Sequence, residues 1–138
     1  MSYPIVSLLF HIAQDVDDDD KSALKVVMHE LGVSRDWSLG PPEFLEDLDP
    51  EGACSVGGRV ALYSAHPPTM LPVEVDNRNL EEVEVLLEEL RKLSAIRGLS
   101  IEFELGGTYV GSIEDGLLDR TLRAGLLEPW REHLGKHE

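Results

Sequence analysis

The chain has 138 residues, 27 acidic and 12 basic, for a formal charge of −15 at pH 7. A field of that sign is repelled by nucleic acid and anionic membranes, which argues against both as partners, and it steers the chain toward basic proteins. With 42% hydrophobic residues the chain has enough Val, Ile and Leu to build a core despite its acidity, and one domain spanning 1–138 is expected.

No apolar run approaches the roughly 20 residues of a membrane span. The start, Met1-Ser2-Tyr3-Pro4, puts no basic segment before the first apolar stretch, unlike a secretory signal. Cys54 is the single cysteine. It has no internal disulfide partner, which fits a reducing compartment, so a cytoplasmic protein is expected.

Ile5–Ile12 is a short apolar run with β-branched residues at its start, and reads as a buried strand. Asp15–Asp20 forms an acidic turn leading into a helix over about Asp18–Leu31. Leu24, Val27, Met28 and Leu31 keep helical spacing there, and Gly32 stands where a left-handed C′ residue belongs. Residues 34–56 read as a long irregular segment punctuated by Gly40-Pro41-Pro42, Asp49-Pro50 and Glu51-Gly52, with a short helical turn at about Glu43–Leu48. Gly58–Ser64 is a predicted strand, Pro67-Pro68 breaks the chain, and Leu71–Asp76 is a second short strand.

The spacing of Leu80, Val83, Leu86, Leu87, Leu90 and Leu93 predicts a helix over about Leu80–Leu93. Asn79 is the expected N-cap and Glu82 its capping-box partner, and Gly98 is the stop. Leu99–Leu105 and Thr108–Ile113 predict a hairpin turning on Gly106-Gly107, with Leu105 opposite Thr108, Phe103 opposite Val110 and Ile101 opposite Ser112. Glu102, Glu104, Tyr109 and Ile113 fall on its other face. A last helical stretch follows, capped by Asp119 and restarted at Pro129. The order predicts an α+β, two-layer domain, with an antiparallel or mixed sheet of about five strands and about three helices mainly on one face.

No motif names a chemistry. Asp15, Asp17 and Asp19 imitate the first ligands of a calcium loop, but Asp20 stands where that loop needs Gly and Val26 where it needs Glu. His133 and His137 are the only histidines at a metal-ligand spacing, and they sit at the chain end. Gly57-Gly58 and Gly106-Gly107 read as turns, without a phosphate-binding fingerprint. No metal, no cofactor and no catalytic residue is expected. A cofactor-independent enzyme would need a concave pocket holding carboxylates or His11, His29 or His66.

The sequence points instead to acids interleaved with aromatic anchors, the composition of a hot spot inside a charged rim. Asp36, Trp37, Glu43, Phe44, Glu46 and Asp47 form one such group. Glu102, Glu104 and Tyr109 form another.

The hairpin Leu105–Ile113, the Glu-Asp-Gly that follows it and the segment Asp119–Trp130 resemble bacterial immunity proteins that neutralise secreted polymorphic or type VI toxins. The resemblance covers roughly the last 40 residues and the small acidic character of the whole. It implies a non-enzymatic cytoplasmic inhibitor that binds a cognate toxin domain as one half of a heterodimer and blocks its active site. The two groups of residues named above would be the toxin-binding contacts. The alternative is a small acidic adaptor or chaperone-like module that binds a basic client protein.

Overall fold

A computed structural model describes residues 5–14, 16–48, 54–63 and 72–134. The described strands β1 (Ile5–Ile12), β2 (Glu43–Leu48), β3 (Cys54–Tyr63), β4 (Ser100–Leu105), β5 (Thr108–Glu114) and β6 (Leu117–Leu118) form one antiparallel sheet in the order β2-β3-β1-β4-β5-β6. The helices are α1 (Asp18–Ser34), α2 (Val73–Arg97) and α3 (Glu128–His133), the last continuous with a π-helical stretch at Thr121–Leu127. The class is α+β, as expected. None of the described helices is long and apolar enough to cross a membrane.

Alternation along the strands creates two unlike faces. On β1, Leu8, Phe10 and Ile12 point inward and are buried, with Val60 of β3 opposite Leu8 and Phe103 and Ile101 of β4 opposite Phe10 and Ile12; buried Leu62 pairs with Val6. Leu24, Met28 and Leu31 of α1 close on this face, with Leu80, Leu86, Leu90 and Leu93 of α2. Leu122 and Leu127 complete the same apolar cluster. The alternate residues Ser7, Leu9 and His11 point away from it.

Helix α1 starts as its aspartates predict: Asp17 is the N-cap and accepts the N–H of Asp20 at 2.7 Å. It does not stop at Gly32 but runs to Ser34. Gly32 serves a close approach instead, because a Cβ there would lie 3.2 Å from Cβ of Pro41.

Further expectations are corrected between Ser34 and Leu93. Glu43–Leu48 is neither loop nor helical turn but the edge strand β2, paired with the first half of β3. Its charges hid it, and charges are what a sheet edge carries to avoid further pairing. Residues 73–76 of the expected strand Leu71–Asp76 are the first turn of α2, which follows Pro72 and is 25 residues long; Leu71 lies outside the described residues. Asn79 and Glu82 are therefore interior, and both are buried. Asn79 donates from Nδ2 to the carbonyl of Tyr63 at 2.7 Å, and Glu82 Oε1 accepts the N–H of Ser38 at 2.8 Å. The residue types of a capping box here tie α2 to β3 and to the segment after α1. The predicted break at Pro67-Pro68 and the turn residues Asp49-Pro50 and Glu51-Gly52 lie outside the described residues.

The stop at Gly98 (φ 67°, ψ 38°) and the Gly106-Gly107 turn (φ 60° and 86°) stand as expected. Leu105 does pair with Thr108. A bulge between Phe103 and Glu104 then shifts the ladder by one, so Phe103 faces Gly111 and Ile101 faces Ile113, which is buried and not on the outer face. Gly111 permits this: its φ is +137°, and Cβ of Leu122 lies 2.6 Å from where its own Cβ would be.

Gly57 and Gly58 are not a turn; they lie inside β3. Asp119 caps the last helical stretch as predicted, its Oδ1 accepting the N–H of Leu122 at 2.8 Å. Trp130 Nε1 donates to buried Asp76 at 2.8 Å and so fastens α3 to α2.

Ser94 ties α2 to the segments entering β4 and β6 at one fully buried point. Its Oγ donates to Leu99 O at 2.6 Å and accepts the N–H of Gly116 at 3.0 Å. Ser94→Ala leaves that N–H and that carbonyl without this partner, and is expected to cost about 1–3 kcal/mol of unfolding free energy. A urea titration checks it; an unchanged midpoint would mean that the hydroxyl contributes nothing there.

Candidate functional site

The sheet face turned away from the helices carries Glu43 and Leu45 on β2, Arg59 and Ala61 on β3, and Ser7, Leu9 and His11 on β1. Glu102, Glu104, Tyr109 and Glu114 follow on β4 and β5. Two side-chain pairs cross strands. Arg59 Nε lies 2.8 Å from Glu43, and His11 Nε2 lies 3.1 Å from Glu102. Leu9, on the central strand, has Arg59 on one side and Glu104 on the other. Tyr109 pairs with Glu104 and is 51% exposed.

Strands about 4.8 Å apart put Glu43 roughly 14 Å across the face from Glu102 and Glu104. Those two lie about 7 Å apart along β4.

The structure thus splits the two groups of sequence candidates. Glu43, Glu102, Glu104 and Tyr109 share this open face. Asp47 sits in β2 opposite Ser55, but its side chain is outside the described ones. Phe44 and Glu46 are on the opposite, helix-facing side. Phe44 packs against the core with the Lys25 ammonium 5.2 Å from its ring centre, and Glu46 pairs with Lys21 of α1.

Trp37 is half-buried. Its indole donates to Leu31 O at 2.9 Å, capping the end of α1, and the Arg35 guanidinium stacks 5.5 Å from its ring. Exposed Asp36 offers its carbonyl to Arg78 at 3.2 Å. Residues 35–38 are thus pinned to α1 and α2. Sequence reasoning left Leu9, His11, Arg59 and Glu114 out of the binding groups, and weighed His11 only for an enzyme pocket. Odd-position parity on β1 was the available signal for the first two.

A second acidic surface runs along α2, and its charges are locally answered. Glu81 pairs with Arg35, Glu84 with Arg131, Glu88 with Arg91 and Glu89 with Lys92. The hydrogen bond from Arg91 holds the Glu88 carboxyl below its ordinary range, and raises the Arg91 guanidinium in turn. On the open face, by contrast, Glu102, Glu104 and Glu114 have no Arg or Lys partner among the described residues. The described residues hold no group of three or more metal-ligating side chains. Comparison with known protein families, with curated proteins and with solved structures finds no match.

Proposed function

We propose that this chain is an inhibitor of the immunity-protein type. In this reading it binds one basic toxin domain, seats the open sheet face on the toxin's active-site cleft, and blocks access to it in the cytoplasm. The observation that carries the reading is the contrast between the two acidic surfaces: the stripe on α2 is paired with Arg and Lys, whereas on the open face Glu104 and Glu114 have no Arg or Lys partner among the described residues and Glu102 meets only His11.

That charge is mounted on a rigid sheet around Leu9, Leu45 and Tyr109. Rigid mounting lowers the ordering cost of binding, and unpaired carboxylates accelerate encounter with a basic cleft. Toxins that act on nucleic acid or nucleotides present such clefts to their own anionic substrates.

The test is to capture partners of the tagged chain from its native host, wash at high salt, and assay the retained protein. One partner held at 1:1, whose toxic activity falls to zero at one equivalent of this chain, is expected. A retained partner that keeps full activity in the complex would replace inhibitor with adaptor.

A further inference from the structure

The helix-facing side of β2 holds a feature of opposite sign. Between α1 and the segment 41–44 lies a groove of about 450 Å³. Met28, Pro42 and Phe44 contribute its apolar lining, and Lys25 and His29, one helical turn apart on α1, stand at its rim. Among the described residues no carboxylate pairs with Lys25, whose ammonium lies over the Phe44 ring. The nearby acid on β2, Glu46, is engaged by Lys21. The groove runs out onto Val33, which is 72% exposed.

In a chain with 27 acids and 12 bases, an apolar groove whose rim carries a lysine without a carboxylate partner among the described residues is unusual. The distant acids matter less than that rim, because at physiological ionic strength charges beyond about 8 Å are largely screened.

We propose that this groove binds an acidic peptide segment, with one bulky apolar side chain between Met28 and Phe44 and a neighbouring carboxylate on Lys25. An apolar side chain has a lined pit to fill, and the exposed continuation past Val33 suits an occupant that extends as a chain. The site is separate from the open sheet face and does not depend on the inhibitor reading.

The test uses three capped peptides of equal length, acetyl-Asp-Phe-Glu-amide, acetyl-Asn-Phe-Gln-amide and acetyl-Lys-Phe-Lys-amide, titrated into the isotopically labelled chain by NMR. The acidic peptide is expected to bind about two- to fivefold tighter than the neutral one, a ratio set by one partly screened ion pair. Its shifts should centre on Lys25, His29 and Phe44, and Lys25→Gln should bring the ratio close to one. The expected order runs against the chain's overall charge, so non-specific attraction cannot produce it. Equal binding of the acidic and neutral peptides would overturn the proposal. So would preference for the basic peptide, shifts centred on the open face, or no binding of any of the three.

Discussion

Gly58→Val is expected to remove about 3 kcal/mol or more of stability, at the upper end of what overpacking costs, and so to consume much of the 5–15 kcal/mol that a typical domain has. A Cβ at Gly58 would lie 2.5 Å from the carbonyl oxygen of Glu43, 2.7 Å from Cε of Met28 and 2.7 Å from Cζ of Phe10. The methionine end can swing aside. The Glu43 oxygen cannot, because it belongs to the backbone of β2, and the Phe10 ring is fixed in the core 6.0 Å from the ring of Phe103. Valine adds a Cβ and two methyl groups to a site without room for the Cβ alone. Urea unfolding monitored by circular dichroism reads the effect. A wild-type midpoint would show that β2, β3 and β1 do not meet in the register described here.

That glycine also shows where the sequence misleads. A Gly-Gly pair reads as a turn at 106–107 and at 57–58 alike, yet only the first pair has positive φ and reverses the chain. The difference lies in what packs against the pair, which neighbouring residues do not encode. For the same reason the bulge opposite Gly111 was illegible, since it answers to Leu122 arriving from the last helical stretch. Strand β1, the start of α1, the stripe of α2 and the Gly98 stop were legible because local periodicity and capping chemistry determine them. Strand β2 was not, because an edge strand needs charge more than it needs alternation.

The candidate site was half legible. Acids next to aromatics marked both groups of residues, but composition does not say which way a side chain turns. Trp37 and Phe44 have the look of interface anchors, and both are committed to α1 and the core. Glu43, Glu102, Glu104 and Tyr109 converge on one face only because β3 and β1 bring β2 and β4 into one sheet.

Reversing Glu43, Glu102 and Glu104 to lysine together is expected to leave the fold within about 1 kcal/mol of wild type, since the exposed pairs with Arg59 and His11 are worth little. Binding of the basic partner should nevertheless weaken by at least about a hundredfold. Three attractive charges become repulsive, and like charges facing each other across an interface cost several kcal/mol. The same reversal at Glu81, Glu88 and Glu89 on α2 is the control. It changes the net charge equally, and it should cost little affinity because those acids are paired with cations and lie on the helix side. If both triple variants lost affinity alike, total charge and not the open face would be responsible.

The most direct test is the association rate of the captured partner with the wild-type chain and with the Glu43, Glu102 and Glu104 reversal, followed by stopped flow as salt is raised. Steering by the open face predicts a wild-type rate that falls at least about tenfold from low salt to several hundred millimolar. It predicts a variant rate that starts at least tenfold lower and does not fall with salt. Equal rates with equal salt slopes would take the open face out of the encounter and contradict the proposal.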